Sequence, residues 1–136
     1  MNEGATAALA ELSPVIAADI LSLPELGGPD WDTYSMVAQV SDFSVKMTAF
    51  RYAGSGPPIP TGGPANSYVF IQLRDRTGGV DGRAWDVALV KLRRDTADLV
   101  VNFVSGDAAD LWQVTPGNIA RLPEALRPRP EDFLPL

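Results

Sequence analysis

Apolar residues alternate along two separate parts of this chain. In residues 31–40, WDTYSMVAQV, Tyr34, Met36, Ala38 and Val40 fall on one side. In residues 43–52, FSVKMTAFRY, Phe43, Val45, Met47 and Ala49 do the same. A period of two marks strands, and Ser41-Asp42 is a short enough link to join them as a hairpin. The stretch RAWDVALVKLRRDTADLVVNFVSGD, residues 83–107, repeats the arrangement. Trp85, Val87 and Leu89 stand against Asp86, Ala88 and Val90, and Leu99, Val101 and Phe103 stand against Val100, Asn102 and Val104, with RRDTAD as the turn.

Elsewhere the period lengthens. Ala8, Leu9, Leu12, Val15, Ile16 and Ile20 recur at helical spacing and predict a helix over residues 5–23. Pro14 either starts that helix behind Ser13 or kinks a longer one. Residues 66–77 fit two patterns. Tyr68, Phe70 and Gln72 against Val69, Ile71 and Leu73 suit a strand, whereas Asn66 or Ser67 as a cap and Gly78-Gly79 as a stop suit a short helix. Thr115-Pro116 predicts a last helix with Ile119 and Leu122 facing inward, ended early by Pro123. The expected fold class is α+β: an antiparallel sheet of two hairpins, with an N-terminal helix and short helices packed on one face. At 136 residues the chain suits a single domain, 1–136.

Composition then removes whole classes of chemistry. There is no histidine and no cysteine, so zinc sites built on those ligands, Ser-His-Asp triads, Cys-His pairs and disulfides are all excluded. Neither a metal nor a cofactor is expected. The N-terminus lacks a basic region ahead of its apolar part, and no apolar run approaches the length of a membrane span, so the expected location is cytoplasmic and no membrane partner is expected. A net charge of −6 repels nucleic acid, which is not expected as a partner either, and attracts basic proteins.

Acid pairs are the remaining catalytic inventory: Asp30 with Asp32, Asp107 with Asp110, and Glu131 with Asp132. Each also has an ordinary explanation in capping or turns. Arg74, Arg76 and Arg83 lie among glycines and could grip an anion, or simply balance Asp75 and Asp81. Trp31 and Trp85 each open a hairpin, where a large aromatic seals the end of a core. Trp112 suits either core or an exposed anchor.

The order of these features resembles the YezG-type immunity (antitoxin) proteins of bacterial polymorphic toxin systems. The matching positions are Trp31, the aromatic-x-aromatic pair Phe50 and Tyr52, Leu73-Arg74, Trp85, and Asn102-Phe103, with an RPRPEDF ending. The resemblance implies an α+β sheet-and-helix domain with Leu73-Arg74 on a helix. It also implies a non-enzymatic protein whose partner is a cognate toxin domain, a nuclease or an NAD-consuming enzyme, held with its active site blocked. A non-inhibitory adaptor or chaperone for a secreted protein is the alternative.

Two segments are candidates for holding that partner. AGSGPPIPTGGP, residues 53–64, has four glycines and four prolines in twelve residues, which excludes helix and central strand. It reads as a linker or as a stiffened recognition loop, with Pro57, Pro58 and Ile59 at its middle. The stretch after the last strand offers Asp107 and Asp110 as charge and Trp112 as anchor.

Overall fold

The computed structural model describes residues 3–28, 30–41, 44–77 and 85–133. A five-stranded, wholly antiparallel sheet organises the chain, in the order β3-β2-β1-β4-β5. Its strands are β1 (Thr33–Val40), β2 (Val45–Tyr52), β3 (Ile59–Thr61), β4 (Val87–Arg93) and β5 (Leu99–Val104). Helices α1 (Glu3–Leu21) and α2 (Tyr68–Thr77) precede and interrupt them, and two single-turn helices, α3 (Asp107–Asp110) and α4 (Leu122–Ala125), follow.

The alternation of the sequence becomes two buried faces. Tyr34, Met36, Ala38 and Val40 of β1, Ala49 of β2, and Ala88, Val90 and Leu92 of β4 pack beneath Ala8, Leu12, Ile16 and Ile20 of α1 and Val69, Phe70 and Leu73 of α2. Val45 and Met47 join them, as do Leu99, Val101 and Phe103. Phe43, expected on the same face, lies outside the described residues, as do Asp42 and the Gly78-Gly79 stop. The opposite face carries Val37, Phe50, Tyr52 and Val87, and the C-terminal segment covers it with Ala109, Leu122 and Leu126. The helices therefore divide between both faces instead of gathering on one. β1, buried at six of its eight positions, needs that double cover, because an apolar strand exposed on one side would lose about 25 cal/mol for each Å² left wet.

Several local expectations resolve on packing. Residues 68–77 are helix, with Val69, Phe70 and Leu73 buried at spacings that only a helix puts on one side. Pro14 sits inside α1, which runs through it. The RRDTAD turn holds Ala97 at φ 58, a left-handed conformation that costs a residue with a Cβ about 1–2 kcal/mol. Trp85 turns to the helix-covered face rather than joining Val87 and Leu89, because it precedes the ladder. Asp86, between them, is bent, and its N–H reaches the Val104 carbonyl at 3.0 Å. The helix expected from Pro116 is a series of turns. Ile119 faces solvent at 44% exposure, Leu122 is buried, and Pro123 lies within the first turn of α4 instead of ending a helix.

The C-terminal segment is tied to the sheet by polar groups as well as by packing. The Tyr52 hydroxyl donates to the Pro123 carbonyl at 2.7 Å and shares a 2.9 Å hydrogen bond with Ser35. Lys91 pairs with Asp132 at 3.0 Å and fixes the turn at Pro130–Phe133. Burial pushes the Tyr52 hydroxyl up to about 12, against a smaller downward pull from Ser35 and Arg127. Burial also raises Tyr34, whose hydroxyl donates to the Gly62 carbonyl at 3.0 Å. Both hydroxyls hold their protons longer in the fold than in the unfolded chain. The Tyr52 contribution to stability is complete below the unfolded value of 10.0 and is lost as pH rises from there toward about 12, and that of Tyr34 is lost in the same direction. Thermal melts across that window are expected to fall more steeply for the parent than for Tyr52→Phe, which has no proton to lose there. Parallel curves would refute the assignment.

Candidate functional site

The Gly/Pro segment is a strap pinned at both ends. Gly54, at φ +54, donates its N–H to Asp32 Oδ2 at 2.6 Å. Arg127 reaches the Gly54 and Gly56 carbonyls at 3.1 and 2.7 Å, lies 4.9 Å over the Tyr52 ring, and pairs with Glu124 at 2.8 Å. Hydrogen bonds from Arg127 hold the Glu124 carboxyl below its usual range. At the other end the Gly62 N–H meets Glu25 Oε2 at 3.1 Å. Between these anchors Ile59, Pro60 and Thr61 form β3 against Arg51, Phe50 and Ala49. A three-residue edge strand was not expected from so much proline. It forms because Pro60 sits on the sheet's border, where a missing N–H deprives no neighbour. Pro57 is exposed, Pro58 half-buried and Ile59 42% exposed.

Asp107, Asp110 and Trp112 lie at the other end of the sheet. Gly106, at φ +65, turns the chain out of β5, and its N–H meets Asp86 Oδ2 at 3.3 Å. α3 follows, with Ala109 buried against the second core and Asp107 and Asp110 exposed. The strap's tip adjoins the Thr33 end of β1, and α3 adjoins the Val40 end, seven residues away, or roughly 23 Å at about 3.3 Å per residue. The two candidate segments therefore form no common surface. Sequence order could not show this, because each follows a strand that runs in the opposite direction to the other's.

The α3 end has its own architecture. Trp112 is half-buried against the second core, beside Leu122, so it is both core and surface. Leu111 beside it is 64% exposed, and the two line a shallow hollow with Arg121, Leu122 and Ala125. A second hollow of about 320 Å³ opens among Gln39, Lys46, Asp86, Asp110 and Gln113. The backbone here is fixed by polar side chains. Gln39 donates to Gln113, the Asn118 amide donates to the Gln113 carbonyl, and Asn118 Oδ1 accepts from the Thr115 N–H at 2.9 Å. The result is an apolar surface, Leu111 with Trp112, that follows directly on Asp107 and Asp110 of α3, with Asp86 in the adjoining hollow beside Asp110. Leu111 was not singled out in the sequence, where nothing separates it from a core leucine. Its exposure follows from α3 lasting a single turn and burying only Ala109.

Several of the remaining charged candidates have structural duties. Asp32 holds Gly54, and Asp132 accepts from Lys91 and from the Arg129 N–H. Arg74 donates to the Trp85 carbonyl at 2.9 Å, Arg76 pairs with Glu11, and Arg83 and Asp81 lie outside the described residues. Among the described residues no three His, Cys, Asp or Glu side chains are grouped to hold a metal ion, and no helix is long and apolar enough to cross a membrane. No family model and no curated protein matches the chain.

Proposed function

We propose that this chain is an immunity protein that binds a cognate bacterial toxin domain in the cytoplasm and blocks its active site. The observation that supports this most directly is the apolar Leu111-Trp112 surface that follows on Asp107 and Asp110. Protein interfaces concentrate their binding energy in a few large, desolvated side chains ringed by polar groups, and this surface has that composition on a backbone that needs no ordering. Toxins that cut nucleic acid or consume NAD hold phosphates with basic residues. Asp107 and Asp110 offer such a site carboxylates in their place, and the net charge of −6 steers the encounter. The resemblance to YezG-type proteins points the same way.

The test is titration of the toxin that the proposal requires, sought in the gene next to this protein's, reading both binding and toxin activity. Leu111→Ala with Trp112→Ala is expected to weaken binding by about 2 kcal/mol or more, through faster dissociation. Asp107→Lys with Asp110→Lys is expected to slow association, most at low salt. Parent-like inhibition by both variants, each shown to be folded by its melt, would move the contact off this surface. A tight complex in which the toxin stays active would make the protein an adaptor.

A further inference from the structure

The sheet has two borders, and they are unlike. At β3 the border strand is three residues long and carries Pro60, both of which discourage pairing with another chain. At β5 the border strand is LVVNFV, six residues with no charge, no proline and no bulge in its register with β4. Among the described residues nothing pairs with its outer side. Proteins guard such borders with lysines, prolines or covering elements. Here the turn Pro130–Phe133 packs close to β5 but supplies no strand to pair with it, so the backbone edge still invites another strand.

The hydrogen-bond alternation fixes which groups are on offer. The Arg93 N–H bonds the Asp98 carbonyl and the Val40 N–H bonds the Asp86 carbonyl, so Asp98, Val100, Asn102 and Val104 turn their backbones to β4. Leu99, Val101 and Phe103 therefore direct their N–H and C=O groups outward. Their side chains lie on the helix-covered face, beside an apolar groove of about 620 Å³ that runs between β5 and Leu9, Pro14 and Leu21 of α1.

We infer that β5 pairs with β5 of a second copy, antiparallel about a two-fold axis at Val101, to make a continuous ten-stranded sheet. The strand is complementary to itself in that register. Val101 meets its own copy, Leu99 meets Phe103, and Val100 meets Asn102, so every outward backbone group of the three residues finds a partner and no two like charges are opposed. Phe103 of each copy stands beside Leu99 of the other, at the groove against α1. The one charged side chain at the strand's approach, Asp98, is already engaged by Arg93 at 3.5 Å. An acidic chain would otherwise repel its copy, and this strip is the long uncharged backbone edge it presents. An interface of this kind, the same patch on both subunits, is the usual form of a closed dimer. The pairing does not depend on the immunity reading and leaves the Leu111-Trp112 surface free.

Sedimentation of the parent chain is expected to give twice the chain mass. Val100→Lys with Asn102→Lys, and separately Val100→Glu with Asn102→Glu, are each expected to give monomers, because position 100 of one copy faces position 102 of the other. Mixing the two is expected to restore the dimer. The register has a second readout that does not need charges to be tolerated. Positions 100 and 102 form a pair without mutual hydrogen bonds, whose Cα atoms approach to about 4.5 Å, within disulfide reach. Since the chain has no cysteine of its own, mixed Val100→Cys and Asn102→Cys preparations should cross-link under mild oxidation far more than either alone. A monomeric parent overturns the inference and leaves the edge to a strand of another protein. Equal cross-linking in all three samples, or none in the mixture, overturns the register.

Discussion

Trp31→Ala is expected to lower stability by about 3–5 kcal/mol, the cost of deleting a large aromatic from a packed core. Trp31 is 1% exposed. Its indole N–H donates to the Leu26 carbonyl at 2.9 Å, and Arg94 lies over the ring at 5.8 Å. Truncation removes the apolar filling between the turn at Pro24–Leu26 and the start of β1, and it leaves the Leu26 carbonyl without its donor. For a chain of this size the loss corresponds to a melting temperature roughly 10–20 °C lower. Trp31→Phe separates the two contributions: it keeps most of the volume and forfeits the hydrogen bond, so about 1–3 kcal/mol is expected from the orphaned carbonyl and the smaller ring. A Trp31→Ala variant that melts with the parent would mean that the turn closes over the gap.

Trp85→Ala is expected to cost a similar amount, about 3–5 kcal/mol, by a different route. The ring is 5% exposed and stacks on Phe103 with centroids 4.7 Å apart. Its N–H donates to Thr77 Oγ1 at 2.7 Å, and Thr77 in turn donates to the Leu73 carbonyl at 2.6 Å. Trp85 thus joins the end of α2 to the β4-β5 hairpin, whereas Trp31 joins the first strand to the turn before it. Hydrogen exchange distinguishes them. Trp85→Ala should deprotect α2 and β5 first, and Trp31→Ala should deprotect the N-terminal end of β1. Uniform loss of protection in both variants would show that the sheet opens as one unit.

Much of this architecture was legible in the chain because the strands send alternate apolar side chains to the face beneath α1 and α2. Alternation over residues 31–40 and 43–52 gives the first hairpin, whose strands run over 33–40 and 45–52, and Leu99, Val101 and Phe103 give the inner side of β5. Period-two and period-3.6 patterns are local, so a local reading recovers them. Residues 68–77 sit at the limit of that method. Tyr68, Phe70 and Ile71 favour a strand by propensity, but burial of Val69, Phe70 and Leu73 against α1 and the sheet selects the helix.

The candidate site was legible only in its parts. Asp107, Asp110 and Trp112 could be named from charge and aromatic character, but their separation from Pro57, Pro58 and Ile59 depends on the direction of β1. Leu111 became visible only when Ala109, two residues before it, took the buried position. The sequence by itself determined the strand faces, the leading helix, the absence of thiol and imidazole chemistry, and the acidic charge, all of which follow from residue type and short spacing. Tertiary structure alone decided that the C-terminal segment would cover the second face of the sheet, that the Gly/Pro strap would be pinned by Arg127, Asp32 and Glu25, and that β5 would be left at a border. Each of these joins residues far apart in the chain, and no pattern within a single segment records which distant surface it will meet.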